Sequence, residues 1–328
     1  MAVGVVLIQL GTPDAPTPAA LRTYLRQFLA DPRVIESAWV RKFIIPWFVL
    51  PRRPAQSAAK YQRIWHPEQG SPLLHYTRRQ AELLANELPN CVVRFGMQIG
   101  RPALGDVVNE MIAADVDRLI AVPMYPQYSA TTTASAMDAL FAALGKLRSI
   151  PALRFVPPFY QEEGYLQALS AIIQAELARL PWSPDHFVIS FHGIPKSYAR
   201  AGDPYAKHVV ATTRALVAKL GWPRTQWTQS YQSLFGKSVW LKPYTDDVLK
   251  QLARQGKKRV FVVTPGFTAD CLETIDEIGH EAAEVFREAG GQELFQCPCL
   301  NDHPAWIAAL RQLVVDNGDG WLTNSSGR

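Results

Sequence analysis

No G-x-G-x-x-G follows any apolar run in this chain, so the glycine turn that cradles the pyrophosphate of NAD and FAD is missing. The stretch FGKS (235–238) tempts toward a phosphate loop, but Tyr231 stands where the first glycine is required, and that reading fails. There is little cysteine: Cys91, Cys271, Cys297 and Cys299, with no C-x-x-C pair. Cys297-Pro-Cys299 is too cramped for the usual zinc spacing, so ordinary reduced thiols are expected. Charge is also scarce. Charged residues make up 19% of the chain, and the net charge of +5 is spread without a Lys/Arg block. That pattern favours anionic small molecules or an acidic membrane surface as much as nucleic acid, but the RNA- and DNA-binding motif signatures are absent, so no nucleic-acid partner is expected. No apolar run is long enough to span a bilayer. The start, MAVGVVLIQLG, lacks a basic leader and enters directly into a strand, which points to a cytoplasmic protein.

What is abundant is apolar sequence, 48% of 328 residues, enough for two sizeable cores. The runs GVVLIQL, CVVRFGM, RLIAVPMY, ALRFVPPF, HFVISFH, QWTQSYQ, RVFVVTP and ELFQCPC are β-branched, apolar and mostly bounded by Gly or Pro, as buried parallel strands are. Helical patterns lie between them over 72–88, 102–115, 131–147, 161–180, 204–220, 244–255 and 270–289. This alternation predicts a doubly wound α/β protein. AVPMYPQYSATTTAS (121–135) and VVTPGFTADCLETID (262–276) share a layout of strand, proline, aromatic loop and helix start. Two similar halves are therefore expected, 1–150 and 151–302, with a polar, unstructured tail over 319–328.

Three places carry candidate chemistry. His192 sits where the strand HFVIS breaks into a loop stiffened by Gly193 and Pro195. It is either a satisfied structural histidine or an imidazole held at a strand end to take a proton or a borderline metal. Asp270, Glu273, Glu277 and Glu281 form one stripe, either a row of carboxylates that accepts protons and guides a cation or an acidic cap with a solvated face. On the second reading Asp270-Cys-Leu-Glu273 is the capping box. AWVRKFIIPWFVLPRRP (38–54) is either a buried helix or an exposed lip, edged by arginines, that grips a flat acidic apolar ligand or dips into a membrane.

The segments LGTPDAPT (10–17), GSPLLHYT (70–77), YPQYSATTTAS (125–135), SFHGIP with GDPY, YQSLFGKSVWLKPYTDD (231–247) and PGFTADCLETIDEI (265–278) together resemble ferrochelatases, in order, from about Val5 to Trp306. The resemblance is to the Gram-negative bacterial, protoporphyrin-using type. It implies two Rossmann-like domains, each a parallel sheet flanked by helices, with a C-terminal helix (about 303–318) packing back on the first. It implies a lyase that inserts Fe2+ into protoporphyrin IX to make protohaem, with iron as substrate and no tightly bound cofactor. Carried over by motif, His192, Glu273 and Asp270 are the catalytic group, with His192 and Glu273 facing the metal. Arg52, Arg53, Tyr61 and Ser71 fall near the porphyrin propionates, Trp240 at the macrocycle edge, and Tyr125, Gln127 and Tyr128 in a cleft loop.

Two departures from the family pattern stand out. Gln98-Ile99 occupies a position where the family usually has Arg-Tyr or a similar pair. Lys207 and His208 follow GDPY where cluster-bearing forms tend to place a cysteine, so no [2Fe–2S] cluster is expected. A peripheral contact with the inner membrane is a further expectation. The competing readings are a chelatase for coproporphyrin or sirohydrochlorin, and a porphyrin or haem carrier without turnover.

Overall fold

The computed structural model describes residues 2–234, 236 and 238–322. The tip of the FGKS segment and the last six residues of the predicted tail thus lie outside the described residues. All eight apolar runs are strands: β1 (Ala2–Gly11), β2 (Cys91–Ile99), β3 (Val116–Pro123), β4 (Ala152–Phe155), β5 (His186–His192), β6 (Trp227–Gln232), β7 (Arg259–Val263) and β8 (Glu293–Gln296). They form two parallel four-stranded sheets of order β2-β1-β3-β4 and β6-β5-β7-β8. The order is the same in both halves. The sequence echo falls on β3 and β7, which hold the same place in their sheets, and each leads through a loop into a π-helical stretch, Ala130–Ala134 and Leu272–Ala282.

Burial follows position in the sheet. Val5, Val6, Leu7 and Ile8 of β1 and Val188, Ile189 and Phe191 of β5 are fully buried, because helices cover both faces of a central parallel strand. The edge strands β4 and β8 are short and half-exposed. In the first unit β1 and β3 pack on helices Leu104–Ala113 and Ser135–Leu144 through Val6, Ile8, Leu119, Val108 and Leu140. In the second, Val188, Val260 and Val262 meet Leu249, Ile278 and Phe286.

The chain divides into two compact units. One comprises the chain before Pro126, then Ser129–Pro158, then the chain from Ile307 on. The other is Pro126–Tyr128 with Phe159–Trp306. A division at residue 150 would assign β4 to the second half, yet β4 completes the first sheet by pairing with β3. The C-terminal helix, Pro304–Asn317, belongs to the first unit from Ile307. There Arg154 donates to the carbonyls of Asn317 (3.2 Å) and Asp319 (2.6 Å) and lies 4.1 Å over the Trp321 ring. Residues 319–322 are therefore tied down by an arginine rather than loose.

His186 opens β5 in a buried position, its Nε2 2.9 Å from the Thr228 hydroxyl and its Nδ1 without a partner. Burial, with Lys257 and Arg224 adding repulsion, pulls its pKa down to about 4. The unfolded chain takes up this proton near the usual pH of about 6.5, so between those limits the unfolded state binds more protons and stability falls as pH falls. Wild type is expected to lose about 2 kcal/mol between pH 7 and pH 5 from this residue. Urea midpoints of wild type and His186→Gln at the two pH values check it. An equal loss in both proteins would contradict the assignment.

Candidate functional site

His192 ends β5 beside Gln232, the last residue of β6. Its main chain is held on both sides: Tyr205 Oη donates to the His192 carbonyl at 2.9 Å, and the Gly193 N–H donates to the Gln232 carbonyl at 2.8 Å. The ring Nδ1 lies 2.6 Å from the Gly193 carbonyl oxygen. A carbonyl only accepts, so Nδ1 carries the proton and Nε2 keeps an open lone pair. The glycine is needed here. A Cβ on Gly193 would sit 3.1 Å from both the Trp240 ring and the Gln232 carbonyl. Trp240 is buried and its ring centroid lies 6.3 Å from that of His192. Backbone bonds from Lys196 to Val239 (2.8 Å) and from Leu241 to Ile194 (3.0 Å) hold the two loops together.

The carboxylate stripe lies on the π-helix Leu272–Ala282. Its i→i+5 bonding takes more than four residues per turn, so Glu273, Glu277 and Glu281 stay nearly in line. The capping box is one residue later than expected. Cys271 is the cap, its N–H donating to Thr274 Oγ1 at 3.0 Å, and Glu273 takes no part. Asp270 is spent inside its own loop. It is buried and accepts from Thr274 Oγ1 (2.8 Å), Asn301 Nδ2 (2.7 Å), Gln296 Nε2 and the Cys299 N–H (both 3.3 Å). Four donors hold it at the helix entry.

Glu277 takes the more telling position. It accepts from the Ser233 N–H (2.6 Å) and hydroxyl (2.5 Å), with Ser233 in the left-handed region at φ +66°. Burial raises its pKa, and Glu273 adds to the rise. The Ser233 bonds pull the other way, as does the His192 ring whenever it carries a second proton, without cancelling the rise. His192, Glu273 and Glu277 thus form one electrostatic group, tightened by Gln232 Nε2 donating to the Glu273 carbonyl at 2.6 Å. Glu277 was legible only as a member of the stripe, and nothing in the sequence singled out Ser233.

The remaining candidates divide between the units. In the first, Thr12 Oγ1 donates to Ser71 Oγ at 2.8 Å, both buried. Tyr61 is buried on helix Arg53–Ile64, edge-on to Trp65, and Arg52 and Arg53 are exposed at the start of that helix. Tyr125 Oη donates to Gln98 Oε1 at 2.5 Å, so the departure at Gln98 is a neutral, doubly bonded amide. The lip is a helix, Val40–Val49, which buries Ile45 against Leu29 and Leu50 and leaves Trp39, Phe43, Trp47 and Phe48 between 45% and 73% exposed.

In the second unit, Gln127 is buried and donates to Thr212 Oγ1 at 2.9 Å, and the Tyr128 N–H donates to His208 Nδ1 at 3.2 Å. Gln127 is therefore an internal strut. His208 also stacks on Tyr160, centroids 3.8 Å apart. The thiols of Cys271, Cys297 and Cys299 are buried, and burial pushes their pKa values up. Among the described residues no group of three or more His, Cys, Asp and Glu side chains converges as a metal cage, and no helix is long and apolar enough to cross a membrane.

Comparison with known proteins agrees with this architecture. The structure of SirB from Bacillus subtilis with Fe3+ superposes with a TM-score of 0.57 at 12% identity, covering 97% of this chain and 96% of that one, and so shares its fold. A ferrochelatase of Mesorhizobium japonicum is 46% identical over 98% of this chain and 92% of its own length. One from Bradyrhizobium diazoefficiens is 45% identical over 98% and 94%. The ferrochelatase family model matches residues 2–317. With that span and those identities, the chain belongs to the ferrochelatase family.

Proposed function

We propose that this chain is the haem-forming lyase of its family, inserting Fe2+ into protoporphyrin IX with release of two protons. A free porphyrin resists metallation because it is nearly planar, two N–H protons block its centre, and the ion must shed water. Three features support an answer to each difficulty. The exposed aromatic helix 40–49 offers an apolar surface that binds the ring periphery, and that binding energy can be spent on bending it. Arg52 and Arg53 are exposed cations at a helix N-terminus, where the dipole disfavours them. They fall to the propionates, as forked donors suited to carboxylates.

The observation that carries the reading is the Nε2 of His192, presented by the bond at Nδ1, in the field of Glu277, a carboxylate with a raised pKa. His192 takes a pyrrole proton. Glu273, one turn before Glu277 on the stripe, receives the iron, and Glu277 supplies a second acceptor whose raised pKa lets it hold a proton nearer neutral pH. Asp270 acts indirectly, by fixing the start of the π-helix. Nitrogen and oxygen ligands of this kind suit Zn2+ as well as Fe2+.

The test is an anaerobic assay with each porphyrin in turn, following the visible Q-bands. Turnover with protoporphyrin, and formation of zinc protoporphyrin when Zn2+ replaces iron, are expected. Preference for coproporphyrin, or spectral shifts without metallation, would overturn the reading.

A further inference from the structure

A directed chain of hydrogen bonds runs along the rim of the first sheet. Tyr125 Oη donates to Gln98 Oε1 at 2.5 Å. Gln98 Nε2 donates to Ser135 Oγ at 3.0 Å. The Ser135 hydroxyl, itself buried, donates to the carboxylate of Asp31. Each link has one direction, and the chain ends on an anion. Asp31 is also the hinge of the segment that follows. Its N–H caps helix Pro18–Ala30 by donating to the Phe28 carbonyl at 3.4 Å. Its carbonyl accepts from Val34 (3.2 Å) and Ile35 (3.0 Å), and its Oδ1 accepts from the Arg33 N–H at 2.7 Å. From this turn the chain leads to the helix carrying Trp39, Phe43, Trp47 and Phe48, which reaches the core mainly through Ile45 and Leu50.

We infer that Gln98 is a positioning residue: it anchors Asp31, and with it the aromatic helix 40–49, to the rigid end of β2. The inference rests on the proposed function only for what the aromatic helix grips, a flat apolar ring. The argument is one of hydrogen-bond inventory. Position 98 must accept from a phenol and donate to a hydroxyl at the same time. A carboxylate accepts but cannot donate, an ammonium donates but cannot accept, and an aliphatic side chain does neither. The Tyr125 phenol stays protonated, since burial, then Tyr24, then the charge of Asp31 all raise its pKa, so the chain keeps its direction. The platform itself does not give way, because Ile99, the next residue, is paired in register with Gly11 of β1.

The experiment compares wild type with Gln98→Leu, the isosteric Gln98→Glu, Asp31→Asn and the double variant Gln98→Leu/Asp31→Asn. Two readings are taken: the rate of tryptic cleavage at Arg41, Lys42 and Arg52, and the steady-state constants for porphyrin. Each single variant is expected to speed cleavage in this segment about fivefold, the scale of losing one hydrogen-bonded tether to local opening. The double variant is expected to be no faster than the faster single, because one chain is broken only once. Porphyrin KM rises severalfold while kcat stays within about twofold, as when ring binding is lost equally before and during reaction.

Unchanged cleavage in both Gln98 variants, or effects of Gln98→Leu and Asp31→Asn that multiply, would overturn the tether. Faster cleavage with an unmoved KM would overturn its role toward substrate. Should wild type metallate no porphyrin, the functional reading falls, and the cleavage rates still decide the tether.

Discussion

His192→Ala is expected to reduce metallation of protoporphyrin by about a thousandfold while leaving porphyrin affinity within a few fold of wild type. The magnitude is that of removing a placed proton acceptor, about 10²–10⁴ in rate. The selectivity follows from how the residue is built in. Its backbone carries the structural bonds, with Tyr205 donating to its carbonyl and the strand register to Gln232 made through main-chain atoms, and alanine keeps all of these. The side chain makes one hydrogen bond, Nδ1 to the Gly193 carbonyl, which presents Nε2, and one ring contact, with Trp240. The aromatic helix assigned to the macrocycle is untouched. Stopped-flow metallation beside fluorescence titration of porphyrin separates the two quantities. A variant that still metallates at the wild-type rate would sink the assignment of His192 as base. Equal loss of binding and turnover would reduce it to a scaffold.

Gly11→Ala should be the most damaging single methyl in the chain. Gly11 has φ +109°, a region essentially closed to residues with a Cβ, and a Cβ built there would lie 1.7 Å from the Ile99 carbonyl oxygen. The clash is with backbone of the neighbouring strand, at the last register pair of β1 and β2, so no side-chain rotation relieves it. The Gly11 carbonyl accepts from Tyr24 Oη at 3.3 Å, and the next residue makes the buried Thr12–Ser71 bond, so relief by backbone shift breaks further contacts. The expected cost exceeds about 4 kcal/mol, a large part of the 5–15 kcal/mol typical of folded proteins. Insoluble protein, or a thermal midpoint lowered by more than about 10 °C, is anticipated. Gly221 is the control. It is also left-handed, at φ +67°, but has nothing within 4 Å of its Cβ, so Gly221→Ala should cost only about 1–2 kcal/mol. Wild-type melting of Gly11→Ala would refute the steric account.

Much of the architecture was readable before any coordinates. Parallel strands buried on both faces need long β-branched runs, and all eight such runs became strands. Helices Pro18–Ala30 and Arg53–Ile64 went unread as elements because their apolar stripes are thin among many polar residues. The helix 40–49 was ambiguous for the opposite reason. A run apolar on every side does not say which side is covered, and only Leu29, Ile45 and Leu50 meeting decided it.

The site shows the same division more sharply. Local punctuation was enough to bring His192 and Glu273 forward, one at a strand end and the other at a helix start, while Trp240 came forward only through the family resemblance. Partners that come from distant segments left no such mark. Asp270 accepts from Thr274 nearby and from Asn301, Gln296 and Cys299 farther along the chain, and Glu277 accepts from Ser233, remote in the chain. By itself the sequence determined the strands, the twofold repeat and the chemical types at each strand end, since periodicity and turn residues act over a few neighbours. Which carboxylate is spent as structure, which keeps a raised pKa, and what ties the aromatic helix to the sheet were decided only in three dimensions, where hydrogen-bond donors and burial are allotted among residues that the linear order keeps apart.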